Sequence, residues 1–228
     1  MNKPIAVEDL GTMGYRDAWA LQEQAHAEVV AGGPERILLV EHPPVITFGR
    51  RPGVDRNLIA SDEQLAKMGV DVVQSDRGGD ITFHGPGQIV AYPIIRLSDR
   101  RLLVGSYVRA LETAVIGALA ELGITAAKDP DAIGVWAHDE SSRPGTALQQ
   151  PKKICALGVR IRRGVSLHGI ALNVTTDLSH FDLIIPCGLV GRGVTSIEKI
   201  LGDKTPPIAR VKDVLSRNLV LSLRHRID

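Results

Sequence analysis

The chain has 228 residues, 44% hydrophobic and 23% charged, with 27 Lys and Arg against 26 Asp and Glu and a net charge of +1. That length supports one large domain or two small ones, the even charge argues against a nucleic-acid binder, and no run of about 18 apolar residues marks a membrane span. The N-terminus has no apolar signal core, and Cys155 and Cys187 are too few for a disulfide framework, so a reducing, cytoplasmic setting is expected.

In chain order, Tyr15, Ala18, Trp19, Gln22, Ala25, Val29 and Val30 recur at helical spacing, predicting a helix over 15–31 that Gly32-Gly33 stops. Short strands follow at 36–40 and 45–48, separated by Pro43-Pro44, which cannot donate to a ladder. Ser61 and Gln64 form a capping-box pattern opening a helix through Met68. Strands are expected at 70–75 and 89–95, and between them lies the most distinctive stretch, Arg77-Gly78-Gly79-Asp80-Ile81-Thr82-Phe83-His84-Gly85-Pro86-Gly87-Gln88. Four glycines exceed what a turn needs. They suit either a ligand channel floored by backbone or a glycine-rich hairpin, with Arg77 a fixed cation and His84 a group titrating near neutrality.

A helix over 106–122 is predicted with Ser106 as its cap, then a strand at 133–136 and a mobile, polar loop over 138–150. Strands at 153–161 and 165–174 join at Arg162-Arg163-Gly164, a single helical turn is expected at 178–181, and 184–188 reads as irregular. A last helix opens after Thr205-Pro206-Pro207. Strands joined by short turns favour an α+β domain with a mixed, largely antiparallel sheet flanked by helices, one domain spanning 1–228.

Cys187, between Pro186 and Gly188, lies outside any periodic pattern, on irregular backbone where a thiol can face a cleft or simply be an inert loop residue. Cys155, inside an apolar strand, reads as a packed core thiol. Lys153 opens that strand and either tucks its stem against the core with its ammonium in a pocket, where it can act as acid or base, or is a solvated strand end. His42, His84 and His168 share no ligand spacing, so no metal site is expected; His168 either lines the same channel as His84 or is a core histidine. Arg160 and Arg162 share a strand face and, with Arg163 and Arg192, form either a docking patch for an acidic carrier or ordinary strand-edge charges.

Together, Glu41-His42-Pro43-Pro44-Val45, Arg77-Gly78-Gly79, Thr82-Phe83-His84-Gly85-Pro86-Gly87-Gln88, Tyr92-Pro93, Lys153-Ile154, Gly158-Val159-Arg160, Leu167-His168-Gly169, Ala171-Leu172-Asn173 and Ile185-Pro186-Cys187-Gly188 resemble the octanoyltransferases of the lipoate–protein ligase B type. The resemblance covers roughly residues 35–200. It implies a catalytic domain similar to those of biotin and lipoate protein ligases. It also implies octanoyl transfer from acyl carrier protein to a lysine of apo lipoyl domains: 2-oxoacid dehydrogenase acyltransferase subunits and the glycine cleavage H protein. Neither cofactor nor metal, nucleic acid nor membrane is implied. Cys187 would carry the acyl thioester, and Lys153 would lower that thiol's pKa. Substrate would lie along Arg77, Gly78, Gly79, Asp80, Ile81, Thr82, Phe83 and His84, Ala156, Leu157 and Gly158, and Gly169, Ile170 and Ala171. The acyl chain would run against Gly78, Gly79, Gly85 and Gly169. Two rivals are an ATP-dependent ligase on the same fold, which would leave Cys187 without a role, and a non-catalytic binding module for a carrier or lipoyl domain.

Overall fold

The computed structural model describes residues 4–139, 150–185 and 192–224. Cys187, with its neighbours Pro186 and Gly188, and residues 140–149 of the expected loop lie outside them.

Two sheets carry the fold. The larger has seven strands, in the order β1 (Ala6–Thr12), β2 (Arg36–Glu41), β6 (Gln88–Ile94), β10 (Val165–Asn173), β9 (Lys152–Arg162), β8 (Val135–Ala137) and β7 (Ala126–Lys128). Only β1–β2 is parallel. The smaller sheet orders β4 (Asp71–Gln74), β3 (Val45–Phe48) and β5 (Thr82–His84), with β3–β4 parallel and β3–β5 antiparallel.

The large sheet is apolar on both faces. Helix α1 (Tyr15–Val30) packs Ala18, Ala25 and Val29 against Leu38, Val90, Tyr92 and Leu167. On the other face α3 (Val104–Glu121) and α5 (Ile208–Ser222) cover Ile37, Leu39, Ile89, Ile154 and Cys155 with Leu111, Val115, Leu119, Val211 and Leu215. Burial on both sides explains the nearly continuous apolar runs of β2, β6 and β10. The capping box forms as expected at α2 (Asp62–Lys67): the Gln64 N–H donates to Ser61 Oγ and the Ser61 N–H to Gln64 Oε1. A short α4 (Ile197–Leu201) is capped by the Ser196 hydroxyl.

Several expectations change. The stretch from 77 to 88 is not a hairpin: after an irregular run over 77–81 it forms β5 in the small sheet, turns at 85–87 and enters the large sheet as β6. Helix α3 begins two residues before Ser106, whose hydroxyl instead accepts from Arg109 within the first turns. Pro207 itself occupies the cap position of α5, and the Thr205 hydroxyl donates back to the Gly202 carbonyl. β1 and β7 escape sequence detection because both are sheet edges, and β1 is exposed at nearly every residue, so no alternation betrays it. Among the described residues no helix is long and apolar enough to cross a membrane.

Candidate active site

A cavity of about 380 Å³ lies along the β9–β10 pair beneath the glycine-rich segment. Its lining includes Arg77, Gly78, Gly79, Asp80, Ile81, Thr82 and His84, then Ala156, Leu157 and Gly158 from β9, and Gly169, Ile170 and Ala171 from β10. Lys153 contributes from the start of β9. Phe83 is not at the cavity; alternation along β5 turns it into the small-sheet core, where its ring meets Phe181 edge-on with centroids 5.6 Å apart. Tyr15, Val90, Tyr92, Val108, Ala132 and Ile133 also line it, and sequence reasoning assigned none of them to a site.

Gly78, Gly79 and Gly169 line the cavity, and two of them also have a packing role. A Cβ on Gly169 would lie 2.0 Å from the Ala91 carbonyl oxygen, and one on Gly78 would lie 2.7 Å from that of Val159. These residues therefore let protein strands approach one another, with the Gly78 N–H donating to the Val159 carbonyl at 3.1 Å. Gly85 faces the Phe83 ring rather than a ligand.

Lys153 reaches the cavity because β9 is bulged. Val135 pairs with Cys155 but Trp136 pairs with Lys153, leaving Ile154 as the extra residue. Ile154 and Cys155 consequently both enter the core under α3 and α5, and Lys153 turns to the cavity side. Without the bulge, Lys153 and Cys155, two apart, would share a face. Lys153 is 7% exposed, with Nζ 4.8 Å from the centroid of the Trp136 ring. Gly134, at φ +137°, makes way for it: a Cβ there would sit 3.0 Å from Lys153 Cε. The Lys153 N–H donates to the Gly193 carbonyl and its carbonyl accepts from the Thr195 N–H, so the chain just beyond residue 191 is fastened beside it. Arg192 anchors the same segment, stacking on Trp136 at 3.8 Å and donating to Asp129 at 2.5 Å.

Cys155 is the core thiol it was read as. It is fully buried, and burial pushes its pKa up to about 12. Iodoacetamide at pH 7.5 is expected to leave Cys155 unmodified in the native protein and to label it once the protein is unfolded, read by peptide mass mapping. Rapid native labelling of Cys155 would place it at the cleft instead.

The inner end of the cavity holds a hydrogen-bonded cluster whose tautomers follow from its partners. The Gln88 amide nitrogen donates to the Phe83 carbonyl and to Asn173, so its oxygen accepts from His84 Nδ1–H at 2.8 Å. His42 Nδ1–H donates to the Met13 carbonyl at 2.7 Å, leaving Nε2 to accept from the Tyr92 hydroxyl at 2.8 Å. Burial holds His84 well below its ordinary value, and the neighbouring His42 and Arg77 add to this. It is therefore neutral at pH 7 rather than a near-neutral titrating group. Burial likewise lowers His42 and His168. Unfolded histidines titrate near pH 6.5, above these folded values. The unfolded chain thus gains protons first on acidification, and stability present above about pH 6.5 should be lost progressively below it. Thermal unfolding from pH 7.5 to 5 tests this; a midpoint that rises on acidification would contradict neutral burial.

Arg77 serves the backbone. Its Nε donates to Thr47 Oγ1 at 3.1 Å, and its terminal nitrogens donate to the carbonyls of Thr47 and Gly78. Asp80 fixes the next turn. Burial alone would raise its pKa, but the Ile81 N–H, Asn57 and Arg51 together hold it below the usual range. Three arginines of the basic patch are paired, Arg160 with Asp76, Arg162 with Glu23 and Arg192 with Asp129, and Arg163 is exposed at the β9–β10 turn.

Residues 14–220 match the model of the lipoyl protein ligase A/B catalytic domain. An octanoyltransferase of Chloroflexus aggregans is 46% identical over 95% of this chain and 94% of its own. Among solved structures, lipoate-protein ligase A bound with ATP superposes with a TM-score of 0.78 at 18% identity, over 99% of this chain and 88% of the other. A bi-partite lipoate protein ligase of Thermoplasma acidophilum, described with its E2 lipoyl domain, gives 0.71 at 17% identity, over 100% and 87%. Those two establish the shared α+β fold, and the sequence match goes further: the chain belongs to the octanoyltransferases of the lipoyl protein ligase A/B catalytic-domain family and is an acyltransferase.

Proposed function

We propose that the chain takes an octanoyl group from the thioester of an acyl carrier protein onto Cys187 and passes it to a lysine amine of an apo lipoyl domain. The acceptors would be the acyltransferase subunits of 2-oxoacid dehydrogenases and the glycine cleavage H protein. The observation that carries this reading is the bulge that delivers a nearly buried ammonium, Lys153, to an acyl-sized cavity on the strand fastened to residues 193–195.

In the first step the Cys187 thiolate attacks the octanoyl carbonyl, the donor C–S bond breaks, and the carrier thiol leaves with a proton. One thioester replaces another, so no separate activation is needed. In the second step a neutral lysine amine attacks the Cys187 thioester, forming an amide and releasing the thiol. Lys153 favours the thiolate in the first step and relays a proton between incoming amine and departing sulfur in the second. The lipoyl-domain acceptor accords with the partner of the archaeal ligase.

Intact-protein mass spectrometry after mixing with octanoyl-carrier protein tests the scheme. One octanoyl increment should appear, map to Cys187, vanish in Cys187→Ser and discharge when apo lipoyl domain is added. Turnover without any adduct, or an adduct that the lipoyl domain cannot discharge, would refute it.

A further inference from the structure

Glu112 sits on α3 among the core residues Leu111, Ala114 and Val115, yet it carries a carboxylate and is only 6% exposed. The proposed reaction gives it no task. A carboxylate taken out of water needs hydrogen-bond donors to hold it there. Here Oε1 accepts the Gly134 N–H at 3.2 Å, a bond that runs from the helix to the turn leading into β8.

That turn walls the space around Lys153. Gly134 adopts φ +137°, where any side chain is strained, and a Cβ there would lie 3.0 Å from Lys153 Cε and 3.4 Å from Cδ. Two residues on, the Trp136 ring lies under the ammonium, and its Nε1–H donates back to the Ala132 carbonyl at 3.1 Å. The segment from 132 to 136 therefore touches the lysine both along its stem and at its charge, and Ala132 and Ile133 carry it on to the cavity. From Val135 onward the ladder with β9 secures it. Gly134 precedes the strand, and Glu112 is what ties it to α3.

We propose that Glu112 is the positioning residue for Lys153. By accepting the Gly134 N–H it fixes the backbone whose missing side chain leaves room for the lysine stem, and so fixes where the amine stands. The inference rests on Lys153 acting as in the proposed reaction. Without that acceptor the glycine, which has the widest backbone freedom of any residue, is released and the stem loses one wall. A reacting group misplaced by about 1 Å can cost up to ~10²-fold in rate. The carbonyl oxygen of a neutral amide can hold the same N–H, so the role needs an acceptor of this reach rather than a charge.

Steady-state octanoyl transfer to an apo lipoyl domain tests this, with thermal unfolding as the check on folding. Glu112→Leu keeps apolar bulk on a helix but removes the acceptor. It should lower kcat about 30-fold and leave KM for the octanoyl-carrier protein within ~3-fold. Glu112→Gln should stay within ~3-fold of the wild type. On a Lys153→Ala background Glu112→Leu should cost less than ~3-fold, because a residue that acts through another adds nothing once that other is gone. A folded leucine variant with wild-type kcat, or the same loss in both backgrounds, would overturn the proposal. So would a folded glutamine variant slowed more than ~10-fold, a comparison that stands even if the leucine variant fails to fold. Absence of octanoyl transfer in the wild type would refute the reaction itself, a result distinct from additive losses.

Discussion

Lys153→Ala is expected to lower octanoyl transfer by about 10²–10³-fold, the range of one positioned acid–base group. The same change should raise the pH at which Cys187 is alkylated, because a cation beside a thiol favours the thiolate. Lys153→Arg separates the two effects. Arginine keeps the charge but cannot give up a proton at accessible pH. It should leave the alkylation profile near that of the wild type while transfer stays depressed. Trp136 and Gly134 shape the space for a lysine stem, so the bulkier guanidinium needs its fold checked by thermal unfolding. Alkylation profiles identical in all three proteins would remove Lys153 from the mechanism.

The second large effect concerns stability. Arg100 and Glu35 are 3% and 2% exposed and form a buried ion pair. Arg100 Nε donates to Glu35 Oε2 at 3.0 Å and Nη1 to the Leu223 carbonyl at the end of α5, while Glu35 Oε1 also accepts the Arg96 N–H at 2.6 Å. The pair thus joins the α1–β2 connection, the end of β6 and the last helix. Arg100→Ala should destabilise the protein by about 3–5 kcal/mol, since it strands a buried carboxylate. The double variant Glu35→Leu, Arg100→Met should recover much of that loss by removing the stranded charge. Urea denaturation checks both; a single variant within about 0.5 kcal/mol of wild type would mean that water reaches the pair.

Much of this architecture was legible in the sequence. Helix α1, strand β3 and the β9–β10 hairpin appear where periodicity and turn residues put them, because each buries a defined stripe. The site was legible as a set of segments but not as an arrangement. Tyr15 and Gln22 read as part of a helix face that packs the core, and so they do; the same periodicity also brings one to the cavity and the other to the His168 backbone. Gln22 was the available signal, an amide on an otherwise apolar stripe. The orientation of Lys153 could not be read at all, since it depends on how β8 pairs with β9 rather than on local composition. Nor could the glycines reveal whether their missing side chains admit a ligand or a neighbouring strand.

The supernumerary Ile154 has a consequence for how this strand can change. Deleting that one residue would leave Lys153 opposite Trp136 and next to Cys155, so the amine would keep its present face and everything upstream its phase. Flattening the bulge with every residue retained would instead turn the amine toward hydrocarbon. This strand can therefore lose a codon at that point more safely than it can slip by one position.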